Sequence, residues 1–236
     1  FFLYRLAHGI IAVSQGVKDD ISELGRISKK QIEVIYNPVA TGIQKPSSAI
    51  IADYTNTLWN KDFQYKFLAV GSLKEQKNFK MLISAFSMLQ PKILNQSQLI
   101  ILGDGPLKND LMDQIEDLKM SNQISLPGRV LNPYPWFHSA DLFVLSSSWE
   151  GFGNVLVEAL ECSLPIVSTD CQSGPCEILK SGRYGVLVPV NNHFAFRDAM
   201  QETLFKSKDK DQLWRRAQDF SVKRISDKYL EFFQNA

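Results

Sequence analysis

Residues 141–169 read DLFVLSSSWEGFGNVLVEALECSLPIVST. The run 141–146 is apolar without alternation between Asp141 and Ser146, the pattern of a strand buried on both faces. Glu150 and two glycines follow. An amphipathic stretch over 155–162 then reads as a helix, and 165–169 as a second buried strand. Strand, loop, helix and strand in that order form a βαβ unit, which calls for a parallel sheet.

The alternation continues on either side. Residues 66–71 (KFLAVG) read as a strand, and 78–89 as a helix with Phe79, Leu82, Ile83 and Phe86 on one face. A strand at 98–103, a helix near 107–119, a short strand at 124–126 and a short aromatic helix at 133–139 lead into the opening stretch. One or two helical turns at 176–179 and a strand at 184–189 close the series. The fold class is therefore α/β, a Rossmann-like doubly wound parallel sheet. Ligands in such sheets bind beyond the carboxyl ends of the strands, so the loops to read are 72–77, 104–106, 128–131, 147–153 and 170–175.

The ends behave differently. Residues 8–14 and 32–36 read as strands around a helix at 15–24, a unit too small to bury its own core. Residues 41–62 are polar and irregular, as expected of a linker. Beyond His193 the chain reads as helical, with Phe220, Tyr229, Leu230, Phe232 and Phe233 offering apolar surface. A helix carrying the basic, aromatic stretch 214–216 is expected to dock on another domain in preference to a membrane. The division expected is 1–40 as the remnant of an N-terminal domain and hinge, 41–62 as linker, 63–215 as the Rossmann-like domain, and 216–236 as a helical segment returning to the N-terminal domain. A first residue, Phe1, that is not Met is expected of an incomplete chain.

The 26 Lys and Arg balance 25 Asp and Glu, so no global charge calls for nucleic acid. No apolar run approaches the roughly 20 residues that span a bilayer. Cys162, Cys171 and Cys176 lack paired metal-ligand spacing and read as reduced packing residues. No G-x-G-x-x-G follows the first strand, which argues against a nicotinamide enzyme.

Chemistry concentrates in residues 146–160. Gly151 and Gly153 let backbone approach a ligand closely. The N–H groups of Gly153, Asn154 and Val155 would face an anion at a helix start, a site that holds a diphosphate without a metal. Glu158, about one turn further, either accepts bonds from ribose hydroxyls or stabilises the helix dipole. Asp104 reads as an Asx-turn residue, His138 as a packing residue, and Trp136, Phe137 and Phe143 as core.

Glu150-x7-Glu158 with Gly-Phe-Gly between them resembles the signature of the retaining GT-B glycosyltransferases of family GT4. The resemblance runs along nearly the whole chain. Residues 70–86 (VGSLKEQKNFKMLISAF) are similar to the family's first strand, phosphate loop and helix, and Gly103-Asp104-Gly105-Pro106 to its GDGP turn. Residues 173–179 resemble a variant found in bacterial polysaccharide enzymes. Residues 11–14 and 35–39 resemble the end of the N-terminal domain and its hinge.

The resemblance implies a GT-B fold whose N-terminal domain is largely missing here, and site residues position by position. Glu158 would hold the ribose, and Glu150 the hydroxyls of the donor sugar. Backbone at Phe152, Gly153, Asn154 and Val155 would meet sugar and phosphate. Lys77 would neutralise the leaving diphosphate, and Arg129 would contact the base. Gly71, Ser72, Gly103, Asp104, Gly105 and Val130 complete the donor-binding set, with Glu150 and Lys77 as the catalytic pair. The family usually has Arg at Ser72. That loses a charge-assisted contact worth roughly 1.5–3 kcal/mol.

The function implied is transfer of a hexose or N-acetylhexosamine from a nucleotide-diphosphate sugar, UDP above all, to a glycan or lipid-linked acceptor. No cofactor and no metal are expected. The expected location is cytoplasmic, with the peripheral membrane association common in such relatives. These residues alone are expected to bind donor with little turnover. The alternatives are an epimerase or phosphorylase on the same architecture, and a non-catalytic nucleotide- or glycan-binding module.

Overall fold

The computed structural model describes residues 3–42, 49, 51–53, 58–206 and 209–235. Strands β1 (Ile10–Ala12) and β2 (Ile32–Val34) form a small parallel pair. The main sheet holds β3 (Tyr65–Val70), β4 (Ser97–Leu102), β5 (Ile124–Gly128), β6 (Leu142–Leu145), β7 (Ile166–Thr169) and β8 (Val186–Val188). All its pairings are parallel, in the order β5-β4-β3-β6-β7-β8.

Successive residues of each strand feed opposite cores. Phe67, Leu99, Ile101, Val144 and Val167 pack under helices α2 (Phe79–Ser87), α3 (Lys108–Asp117) and α7 (His193–Phe205), through Phe86, Leu111 and Phe196 among others. Helix α1 (Gln15–Gly25) belongs to the small unit at the start of the chain. Leu68, Ile100, Phe143, Leu145 and Ile166 face α4 (Tyr134–Ser139), α5 (Asn154–Glu161), α6 (Pro175–Ile178) and α8 (Lys210–Gln218). Each fully buried Leu or Phe stabilises by roughly 1.5–3 kcal/mol. Helices on both faces make the sheet doubly wound, and its order reverses between β3 and β6. A ligand crevice belongs there, at the carboxyl ends of those strands.

Helix α1 packs on β1 and β2 through Val17 and Ile21 over Ile10, Ala12, Ile27 and Ile32. Ser14 caps α1 by accepting from the Val17 N–H, and its hydroxyl donates to the Gly151 carbonyl at 2.7 Å. The small unit is therefore tied to the loop before α5.

Several expectations need correction. Residues 41–62 are not uniformly irregular: 49, 51–53 and 58 are helical, and Trp59 is buried. Its indole N–H donates to Ser139 Oγ at 2.9 Å and its ring meets Trp136 edge-on, which gives an otherwise polar stretch an apolar anchor. Residues 43–48, 50 and 54–57 of that stretch lie outside the described residues.

Phe220 is core, not surface, closed in by Tyr36 and Phe152. Arg216 is also buried. It donates to the Ile178 and Glu177 carbonyls and pairs with Asp219, so its charge satisfies the end of α6. The helix that carries it packs on α5 and the main sheet, where docking on another domain was expected. The final helix, α9 (Val222–Asn235), buries Ile225 and lays Phe232 against Gly9, while Leu230 and Phe233 stay exposed.

Candidate functional site

The loop after β3 folds back beside the carboxyl end of β6. Lys77 ends a single 3-10 turn at Glu75–Lys77, and its ammonium lies 2.6 Å from Glu150 Oε1. The Ser147 hydroxyl donates to the same oxygen at 2.6 Å. Lysine and carboxylate side chains are only 15% and 7% exposed, so the pair sits in a dry part of the crevice. Ser146 Oγ donates to the Lys77 carbonyl, which pins this loop to the end of β6. A fixed cation and a carboxylate with one oxygen not taken up by these two bonds therefore stand at the switch point.

Gly153 precedes α5 in a left-handed conformation, with φ 97°, and no side chain caps the helix. The first N–H groups of α5 are thus not taken by a side chain, the condition for an anion site. Asn154 is held by the Asn37 amide, which donates to its Oδ1 at 2.8 Å. The Phe152 side chain is buried and meets Phe220 edge-on. It stacks on Tyr36, leaving only its backbone for a ligand.

Beside the pair opens a cleft of about 570 Å³ lined by Val70, Gly71, Ser72, Leu102, Gly103, Asp104, Arg129, Val130 and Pro133. The size suits a nucleotide-scale ligand. Its floor depends on Gly103, where a Cβ would lie 1.9 Å from the Gly71 carbonyl oxygen and φ is +149°. Asp104 Oδ1 accepts from the N–H of the next residue, Gly105, at 2.8 Å, and not from the N–H two residues on that the expected Asx turn would use.

Glu158 is partly buried on α5, and among the described residues its carboxylate accepts no hydrogen bond, although its backbone carbonyl accepts from the Cys162 N–H. Burial, then the nearby Glu161 carboxylate, push its pKa up. Such a carboxylate gains much from hydroxyl donors.

Six of the sequence-derived residues, Gly71, Ser72, Gly103, Asp104, Arg129 and Val130, line the cleft. Lys77 and Glu150 form the pair beside it, and Gly153 to Glu158 supply the helix start. Sequence reasoning missed Glu161, Glu177, Ser147 and Tyr36. Glu161 had a signal, being a second carboxylate one turn after Glu158 in an apolar helix.

The cysteines are all free, and burial raises Cys162 well above the ordinary thiol range and Cys171 to about 11. Burial thus disfavours the thiolate form of both. Among the described residues no helix is long and apolar enough to cross a membrane.

Comparison with known proteins identifies the family and the fold. Residues 56–220 match the family model described as "Glycosyl transferases group 1". An uncharacterized glycosyltransferase, MJ1059, of Methanocaldococcus jannaschii is 31% identical over 97% of this chain and 58% of its own. A relative from Campylobacter jejuni is 30% identical over 98% of this chain and 61% of its own. It is the N-acetylgalactosamine-N,N'-diacetylbacillosaminyl-diphospho-undecaprenol 4-alpha-N-acetylgalactosaminyltransferase. The chain thus spans less than two thirds of the length of these relatives. Among solved structures, Anabaena HepE in complex with UDP superposes with a TM-score of 0.87 at 22% identity, over 99% of this chain and 65% of that one. That likeness establishes the shared fold.

Proposed function

We propose, for a chain that belongs to the group 1 glycosyl transferases, that its crevice holds a nucleotide-sugar donor and that the protein transfers the sugar with retention of configuration. One observation carries the reading: the buried Lys77–Glu150 pair stands at the switch point, beside a cleft of nucleotide size and an uncapped helix start.

The base lies against Arg129 and Val130, and Glu158 accepts from the ribose hydroxyls. The diphosphate meets the Gly153–Val155 amides and the Lys77 ammonium. As the sugar–phosphate bond breaks, negative charge grows on the diphosphate, and fixed donors in a dry site stabilise it where water would have to reorganise. Glu150 accepts from sugar hydroxyls and keeps Lys77 in place. No protein nucleophile is invoked, and Lys77 with the helix start supplies the positive charge that a metal would otherwise provide.

UDP is the expected nucleotide and a hexose or N-acetylhexosamine the expected sugar. The acceptor is a glycan or a lipid-linked glycan, in line with the diphospho-undecaprenol acceptor in the name of the Campylobacter relative. The location that goes with such an acceptor is the cytoplasm, peripheral to the inner face of the membrane.

Calorimetric titration with UDP, GDP and ADP, with Glu158→Ala as the control, tests the donor site. Binding of one nucleotide that disappears in the variant supports it. Failure of all three to bind the wild-type chain would sink it.

A further inference from the structure

Helix α5 carries a second carboxylate that the donor site does not use. Glu161 is 4% exposed in a helix whose other buried positions are Leu156, Val157, Ala159 and Leu160. An ionised group costs several kcal/mol to bury unless donors surround it. Its donors all come from outside the helix. The Tyr134 hydroxyl donates to Oε2 at 2.8 Å, the Gly42 N–H to Oε1 at 2.7 Å, and Thr41 Oγ1 to Oε1 at 3.3 Å.

One donor adjoins the cleft wall, and the other two stand at the start of the linker stretch. Tyr134 directly follows Pro133, a cleft-lining residue, and its own N–H is fixed by Asn132 Oδ1 at 3.1 Å. The wall that runs from Arg129 to Pro133 therefore ends on an anchor set by Glu161. Thr41 and Gly42 begin the linker stretch between the small unit and the main sheet. Glu158 stands one turn earlier on the same helix and is the group that Glu161 repels.

We infer that Glu161 is a positioning residue for the nucleotide, tying the base-side wall of the cleft and the start of the linker to the helix that presents Glu158. The inference rests on the donor-site reading given above. It sets the width between Arg129–Pro133 and α5, and it makes ordering of residues 41–42 and occupancy of the cleft two sides of one equilibrium.

Around Glu158, Glu161 is the charged group that shifts it, while Tyr134 on α4 and Cys162 at the end of α5 feel its charge in turn. On α8, which packs against α5, the Arg216 guanidinium is turned to the Glu177 and Ile178 carbonyls and to Asp219.

The test is UDP titration of wild type, Glu161→Gln and Tyr134→Phe over a pH series that runs from the ordinary carboxylate range up to neutrality. Amide exchange at Gly42 is followed with and without UDP. Tyr134→Phe removes one hydroxyl and keeps the ring, so it guards against a Glu161 variant that fails to fold. Both variants should weaken UDP binding about tenfold, the scale of one charge-assisted hydrogen bond. UDP should slow exchange at Gly42 in the wild type and less so in Glu161→Gln. The pH at which binding fades should fall in Glu161→Gln, because the repulsion that raises Glu158 is gone; a purely structural role would leave that midpoint alone. Wild-type affinity and an unmoved midpoint in both variants overturn the inference and leave the donor site standing. No UDP binding by the wild type overturns both.

Discussion

Lys77 Nζ lies 2.6 Å from Glu150 Oε1, joining the loop after β3 to the loop after β6 across the point where the strand order reverses. Each charge is the other's partner. Lys77→Ala leaves a buried carboxylate with Ser147 as its remaining side-chain partner. Such a loss typically destabilises by about 3–5 kcal/mol. Urea unfolding should show a lower midpoint for Lys77→Ala and a smaller drop for the double variant Lys77→Ala/Glu150→Gln, which removes the orphaned charge. Equal midpoints for wild type and Lys77→Ala would mean that the pair is not buried as described.

Glu158 trades stability for binding. Its folded pKa is raised by burial and by Glu161, so the fold prefers the protonated acid. The sign follows from linkage: the stability tied to this group is fully present below its unfolded pKa and lost as pH rises through the folded one. Glu158→Gln should therefore raise the melting temperature at pH 7, by a margin that shrinks toward pH 4, and should abolish UDP binding. A variant that is less stable at pH 7 contradicts the assignment.

Ser72 is exposed on the cleft wall, where the resembling family usually has Arg. Ser72→Arg should tighten UDP binding by roughly 1.5–3 kcal/mol, the worth of a charge-assisted hydrogen bond. Raising the salt concentration should erode the gain. Calorimetry at two ionic strengths decides; no gain at low salt would mean that position 72 does not reach the phosphates.

Gly103 brings its backbone against Gly71 at the cleft floor. Gly103→Ala places a methyl 1.9 Å from the Gly71 carbonyl oxygen, at a φ of +149°. The loops after β3 and β4 must part, and a residue held in such a region costs of order 1–3 kcal/mol. Thermal unfolding and UDP titration should both worsen. Wild-type values in both would show that the loops give way freely.

Glu177 joins the small unit to the main sheet. Its carboxylate accepts from the Gln15 and Gly16 N–H groups at 2.8 and 3.3 Å and from the Tyr36 hydroxyl at 3.2 Å. Glu177→Ala should speed amide exchange at the start of α1 while β3 to β7 keep their protection. Unchanged exchange at Gln15 and Gly16 would show that the carboxylate does not hold the helix.

The sheet was legible in the sequence because parallel strands buried on both faces have apolar middles, and those of 66–71, 98–103 and 141–146 are apolar, as are Ile166 and Val167 of 165–169. Their register and the reversal between β3 and β6 were not, since pairing partners lie dozens of residues apart. Phe220 shows the limit of local reading. An aromatic in a polar helical stretch looks like free surface until Tyr36 and Phe152, brought from distant segments, close over it.

The candidate site divides in the same way. Spacing within one loop and helix, Glu150-x7-Glu158 with its glycines, was fixed by the sequence because a strand end, a turn and one helical turn leave little freedom. The Lys77–Glu150 pair and the donors around Glu161 were decided by tertiary structure alone. Sequence can reveal that a carboxylate sits in an apolar helix, but only the packed fold determines which donors reach it, and a buried charge persists only where they do.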